Sequence, residues 1–387
     1  MSDIVAQIEA LTKSPPQDPA ERLALYNAMR KLSAAIEDPF DTIYRVHDSP
    51  MILIFSQVAS DLGIFKKLSE VAPLQITGQL LAVQAEADPV LMSRILRFLA
   101  SYSLIAETDE DTYKANNITH TLARPAFRAG ISHGFNVILP CLQATPKFLA
   151  DTKYQNPADM NNGPFQRGHN TTLPGFAYAA QHRELMDNFN LWMSETHDSQ
   201  STWLDVYNFA GHVKDTTPET LIFVDVGGGI GQQCALLKRT HPNIPGRVVL
   251  QDQNVVLEHA LVSEKEGVET MAHNFWEEQP LKGARVYYMR NILHDYPDDK
   301  AVIIINNIVQ AMNKDSVLVI DEMIIPNKGA HSRSTGTDMT MMAALAATER
   351  TDRQWDALLE KAGVRAAEKK TYNQATGASV VVLVAAN

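Results

Sequence analysis

Cysteine is nearly absent from this chain. Cys141 and Cys234 lie far apart and fit no metal-ligand or redox spacing, which excludes a disulfide framework and suits buried thiols in a reducing compartment. A basic excess is absent too: 34 Lys and Arg face 45 Asp and Glu, a net charge of −11. Such a surface repels polyphosphate, so nucleic acid and anionic membranes are excluded as main partners, and a small neutral or cationic ligand fits better. No stretch of about 18 uninterrupted apolar residues occurs. Residues 1–9 lack the basic and apolar regions of a secretory signal, so a cytoplasmic protein is expected. Neither repeats nor low-complexity tracts interrupt the 387 residues, a length that predicts two domains with ample core.

What is present is periodic. From Ala20 to about Leu68 the pattern is helical, with Met51, Ile52, Phe55, Val58, Ala59 and Leu62 at three- and four-residue steps. Such a helix needs an apolar partner. A short helix is expected over Thr77–Gln84, and Asp88-Pro89 supplies an N-cap and a first helical residue for Val90–Tyr102, with Leu91, Ile95, Leu99 and Tyr102 in one stripe. Ser103–Glu107 and Thr112–Ala115 flank the acidic Asp109-Glu110-Asp111 and read as a hairpin, completing a winged helix-turn-helix. DNA binding is disfavoured, because the second helix carries only Arg94 and Arg97 and the wing tip is acidic. A module that pairs two subunits suits the surplus of apolar stripes better. The Pro-, Asn- and Gly-rich stretch Gln155–Pro174 reads as a linker.

From Leu221 strand and helix patterns alternate. Strands are expected up to Gly227 and over Arg247–Gln251, Val286–Met289 and Val317–Ile320, with helices over Val255–Lys265, Asp299–Met312 and Arg353–Ala362. The runs Ala366–Tyr372 and Ser379–Ala385 close the domain. This is the signature of an α/β, Rossmann-like, doubly wound parallel sheet, which binds ligands beyond the carboxyl ends of its strands. Val224-Asp-Val-Gly-Gly-Gly-Ile-Gly231 joins the first strand to a helix. Only glycine tolerates positive φ freely and lets a ligand approach the backbone, so Gly227, Gly229 and Gly231 point to a nucleotide-like cofactor. A nicotinamide fingerprint would need a small residue where Gln232 stands.

Other strand ends carry chemistry. Asp252 stands where a carboxylate accepts both hydroxyls of a ribose, or else caps the next helix. Asn274 offers an amide to an adenine, and Phe275 or Trp276 a stacking face. His294, in His294-Asp295-Tyr296, is placed at the mouth of the cleft as a proton acceptor, or is a surface residue. Glu322 and Glu349 add two acids that would converge on one imidazole and fix its orientation, as the third member of a triad does. His120 and His133 have no visible partner and read as solvated or capping residues.

These segments, in order, resemble the class I S-adenosylmethionine-dependent O-methyltransferases, the plant and fungal small-molecule family related to caffeic acid O-methyltransferase. The matching runs are Val224–Gly231, Leu250-Gln-Asp252, Asn274-Phe-Trp276, His294-Asp-Tyr296, Asp321-Glu-Met323 and Glu349-Arg-Thr351. The resemblance implies that Asp225, Gly227, Gly229, Asp252, Asn274, Phe275 and Arg290 hold S-adenosylmethionine. It implies His294 as base with Glu322 and Glu349 bracketing it, no metal, and an acceptor pocket lined by Phe189, Trp192, Met193, Asp295, Met339 and Met342. It also implies three parts: a winged-helix dimerisation domain over 1–125, linking helices covering the acceptor over 126–210, and the cofactor domain over 211–387. The expected protein is a homodimer that methylates a hydroxyl of an aromatic or polyketide-type metabolite. Two departures stand out, since the family usually carries Asp at position 274 and often a small residue at 192. Some fungal members, pericyclases of the leporin type, keep the cofactor as an electrostatic element. Their base position is altered; His294 is intact here, which favours methyl transfer.

Overall fold

The computed structural model describes residues 2–196, 201–374 and 376–385. Helices α1 (Ser2–Lys13), α2 (Pro19–Ile36) and α3 (Pro39–Asp61) lead the chain, the latter two started by Asp18 and Asp38, whose side chains accept backbone N–H groups of the first turn. A winged unit follows: α4 (Ile64–Val71), β1 (Ile76–Thr77), α5 (Gly78–Gln84), α6 (Pro89–Ser101), β2 (Ala106–Asp109) and β3 (Thr112–Lys114), with the strands in the order β1-β3-β2. Asp88 caps α6 as expected, accepting from the Leu91 N–H at 2.8 Å. The stripe of α6 is rotated from the one expected. Met92, Ile95, Leu96 and Leu99 are buried with Leu68 and Tyr113, whereas Leu91 is 47% exposed and Tyr102 turns to stack near Phe98. The occupied face is the wider i, i+3, i+4, i+7 pattern, which buries more side chains than a row of i+4 steps.

Helices α7 (Asn117–Ala123), α8 (Pro125–His133), α9 (Leu139–Asp151), α10 (Pro164–His169), α11 (Gly175–Ala180), α12 (Arg183–Thr196) and α13 (Phe209–His212) connect this unit to the sheet. A π-helical turn over Gly134–Ile138 joins α8 to α9. The Gln155–Pro174 stretch is not a plain linker. It folds into α10, whose Phe165 is buried with Cys141 and Ala343. Gly168 makes this possible, because a Cβ there would sit 2.4 Å from the Pro140 carbonyl oxygen.

The second unit is a seven-stranded sheet of order β6-β5-β4-β7-β8-β10-β9. Strands β4 (Leu221–Val226), β5 (Arg247–Asp252), β6 (Glu269–Ala272), β7 (Val286–Arg290) and β8 (Val317–Met323) are parallel, and β9 (Val364–Asn373) and β10 (Ala378–Ala385) close the edge antiparallel. Helices α14 (Gln232–Thr240), α15 (Asn254–Leu257), α16 (Asp298–Val309), α17 (Ser332–Leu345) and α18 (Asp352–Lys361) accompany it. One face packs Ile304, Ile305, Trp355 and Leu358, the other Trp203, Phe209, Leu237 and Val262. Strand order reverses between β4 and β7, and such a switch point opens a crevice at the carboxyl ends. The expected helix over Val255–Lys265 shrinks to the four residues of α15. Beyond it the Leu261 N–H donates to the Ile230 carbonyl at 2.8 Å and Val262 fills the space under Gly231, so the chain is drawn onto the glycine loop instead.

Candidate active site

The glycine loop adopts the backbone its sequence requires. Gly227, Gly229 and Gly231 have φ of +70°, +60° and +93°. The N–H groups of Gly227 and Gly228 both donate to the Gln251 carbonyl, at 2.8 and 3.1 Å, tying the loop to the end of β5. Asp252 completes the tie: its Oδ2 accepts from the Gly229 N–H at 2.8 Å and its Oδ1 from the Gln253 N–H at 2.7 Å. Asp225 lies fully buried beneath the loop, where a Cβ on Gly228 would come within 2.4 Å of its Cγ. Burial pushes its carboxyl up to about 7. Phe275 borders the same rim, with Gly227 and Ile292 beside it. Asn274 is exposed and already engaged by its own turn, its Oδ1 3.3 Å from the Trp276 N and its Nδ2 3.3 Å from Glu277.

Arg290 ends β7 inside a buried network that the sequence alone did not show. Its Nε is 3.6 Å from Asp321, which also accepts from the Tyr288 and Tyr372 hydroxyls at 2.6 and 2.7 Å. Asp321 sits beside Glu322, and that adjacency is the signal a reader of the sequence could have used. Beyond β7, Asn291 takes a positive φ of +51° and turns the chain into a 3₁₀ segment, Leu293–Asp295, that carries His294.

Two charged residues hold this segment from opposite ends. Glu322 Oε1 accepts from the N–H groups of Ile292 and Leu293, at 2.9 and 2.7 Å. Arg350, 1% exposed, donates to the carbonyls of Leu293 and Tyr296 at 2.7 and 2.8 Å and binds Asp298 at 3.0 Å. Glu349 then meets the imidazole directly, its Oε1 2.6 Å from Nδ1, while Asp295 Oδ1 lies 3.4 Å from Nε2. Asp338 steadies Glu349 by accepting its backbone N–H at 2.9 Å. Sequence reasoning gave Arg350 no role although it lies in the Glu349-Arg-Thr351 run, and missed Asp338, which carries no motif of its own.

His294, Glu322 and Glu349 bring ligand atoms within 4.8 Å of one another. The outer oxygens of both glutamates are buried with no hydrogen-bond partner. Burial opposes charge on His294, but the carboxylates of Asp295, Glu322 and Glu349 outweigh it and hold the imidazole well above its ordinary value. Burial pushes Glu322 up to about 7 and Asp295 up to about 6. The cluster therefore favours protonated forms more than the free side chains would.

A cavity of about 270 Å³ opens beside Asp295 and Tyr296, walled by Met160, Phe176, Trp276 and Leu345. The residues expected around the acceptor are distributed unevenly about it. Asp295 lines it, and Phe189 reaches it through Phe176, 5.9 Å between ring centres. Trp192 packs on Gly130 and Phe127 of α8, so its bulk is absorbed by helix packing. Met193 follows on the same helix, α12, half-buried. Met342 packs with Cys141 and Phe165, and Met339 is 50% exposed. His133, expected to be solvated or capping, ends α8 with its ring 5.5 Å from Phe189, making no side-chain cap hydrogen bond, its Nδ1 unpartnered and burial holding it down at about 4. His120 bonds Ser69 at 2.8 Å.

This architecture has known counterparts. A profile of the O-methyltransferase domain matches residues 156–365, and one of the O-methyltransferase dimerisation domain matches 50–125. The chain belongs to the O-methyltransferase family. The O-methyltransferase lepI of Aspergillus flavus is 39% identical over 368 residues, 94% of either chain. Demethylsterigmatocystin 6-O-methyltransferase of the same species is 33% identical over 92% of this chain and 91% of the relative. The solved structure of a single-residue LepI variant with SAH and a substrate analogue superposes with a TM-score of 0.93 at 36% identity over the whole of both chains. Another, described as a pericyclic reaction enzyme, superposes over the whole of both at 0.92 and 36%. The family's members include both methyltransferases and a pericyclase, and the protein is an enzyme of this fold. No described helix is long and apolar enough to cross a membrane.

Proposed function

We propose that the protein transfers a methyl group from S-adenosylmethionine to a hydroxyl of an aromatic or polyketide-type metabolite. The observation that carries this reading is the His294 imidazole, fixed at Nδ1 by Glu349 and 3.4 Å at Nε2 from Asp295, which lines the cavity. The cofactor would supply an electrophilic methyl. The protein's part is to orient the acceptor and take its proton, because a phenol with a pKa near 10 is mostly neutral at pH 7. His294 Nε2 accepts that proton, and Glu322 and Glu349 stabilise the resulting imidazolium. The glycine loop, Asp252, Phe275 and Arg290 form the cofactor side, above the buried carboxyl of Asp225. Residues 126–210 form the acceptor cover between a dimerisation part, 1–125, and the cofactor domain, 211–387. Two such chains pair, in the cytoplasm, where the two buried free thiols are stable.

The test is His294→Ala. Calorimetric affinity for S-adenosylhomocysteine should stay within about twofold while turnover falls at least about 10²-fold, the scale of general-base removal. Full methyl transfer in the variant would remove His294 from the mechanism. Ethylenediaminetetraacetate should leave turnover intact, and loss restored by Mg²⁺ would reassign the carboxylate–histidine cluster to a metal.

One observation favours a second reading. An imidazole held as a cation can polarise or protonate an oxygen, which is the chemistry of a dehydratase or pericyclase using the cofactor as a fixed charge. Product formed without stoichiometric S-adenosylhomocysteine would establish it.

A further inference from the structure

The cavity beside His294 is polarised along its length. Asp295, whose Oδ1 lies 3.4 Å from His294 Nε2, lines it on the side of the imidazole. Its walls are largely apolar: Trp276 and Tyr296 meet edge to face at 5.0 Å, and Phe176 and Met160 line it as well. Lys300, on the first turn of α16, lies exposed at its rim and is the one cation among the lining residues. The acids nearest in sequence do not all compete for it, since Asp298 is bound by Arg350 and Lys361. No ion pair to Lys300 occurs among the described residues. In a chain of net charge −11, a free ammonium beside an aromatic slot is a selective feature.

Resting on the acceptor-binding role given above, we propose that this cavity holds the part of the acceptor remote from the reacting hydroxyl. Lys300 selects acceptors that carry an anionic oxygen there, an aromatic carboxylate or a stabilised enolate. Asp295 repels an anion from the side of the imidazole, so charge fixes the orientation: hydroxyl toward His294, anion toward Lys300. The volume, about 270 Å³, lies just below the usual range for small-molecule sites, about 300–1,000 Å³, and suits a flat ligand of a few rings.

The probe pair is 6-hydroxy-2-naphthoic acid and its primary amide, titrated calorimetrically into the full-length protein saturated with S-adenosylhomocysteine. The acid should bind up to about fivefold more tightly, the scale of a partly exposed ion pair. Lys300→Gln should bring the ratio to about one, Lys300→Arg should keep it, and Phe176→Ala should weaken both probes alike. A preference that survives Lys300→Gln, an equal affinity in the parent protein, or no binding of either probe would each overturn the proposal. A separate titration of S-adenosylhomocysteine reads the function itself. If that ligand fails to bind, the acid-to-amide ratio in the cofactor-free protein still decides the role of Lys300.

Discussion

His294 faces an anion at each ring nitrogen, and that arrangement sets its working pH. Its folded value is raised, so the imidazole keeps its proton at pH values where an ordinary histidine, near 6.5, has lost it. The base form therefore appears only at higher pH. The acidic limb of kcat/KM should lie on the alkaline side of that ordinary value. Glu349→Gln removes the anion at Nδ1, so the limb should move to lower pH while kcat falls roughly 10²-fold through lost orientation. A limb that stays in place would show that Glu349 does not hold the proton. Asp252→Ala should weaken S-adenosylhomocysteine binding at least about tenfold, since it unties the Gly229 backbone as well as removing a carboxylate from the rim. The pairing of His294 with Glu349 was legible because both lie in recognisable runs. The role of Glu322 was legible only in part: which of its oxygens serves the backbone and which faces the imidazole is a matter of three-dimensional placement.

The 3₁₀ segment Leu293–Asp295 is too short to be stable by itself and depends on its two clamps. Arg350→Met should strand the Leu293 and Tyr296 carbonyls and leave Asp298 without its buried partner, a cost of about 3 kcal/mol. Chemical denaturation should show that loss, together with a drop in kcat larger than any change in cofactor affinity; an unaltered midpoint would mean the segment is held elsewhere. Gly231→Ala should be similarly damaging, because a methyl there meets Val262 at 2.4 Å with φ at +93°. The alternation of strands and helices was readable because parallel strands are continuous apolar runs and their helices amphipathic. What failed were elements decided by long-range contact. The end of α15 is set by Ile230 and Val262, α10 exists because Gly168 admits Pro140, and the buried face of α6 is chosen by its neighbours. No local periodicity encodes those partners.

At the scale of the molecule the unsolved surface is the leading helical pair. Ile36 is 74% and Phe40 75% exposed, and Ile43 and Tyr44 continue the apolar face along α3, ahead of the matched dimerisation profile, which begins at residue 50. A monomer has no reason to keep such a face in water, and full burial of each large side chain contributes about 1.5–3 kcal/mol. The sequence showed the surplus of apolar stripes but not which side chains remain uncovered after folding. Phe40→Asp with Tyr44→Asp should convert a dimer to a monomer by size-exclusion light scattering; a parent protein already monomeric at micromolar concentration would refute pairing through this face. The same helix reaches the proposed acceptor cover, since Leu53 of α3 lies against Gly134 at the turn that follows His133. Dimer loss should therefore weaken acceptor binding, while cofactor affinity, which depends on the separate core around β4 and β5, should hold. Equal loss of both affinities would instead mean that the monomer is globally destabilised, and a melting curve on the same variant separates the two cases.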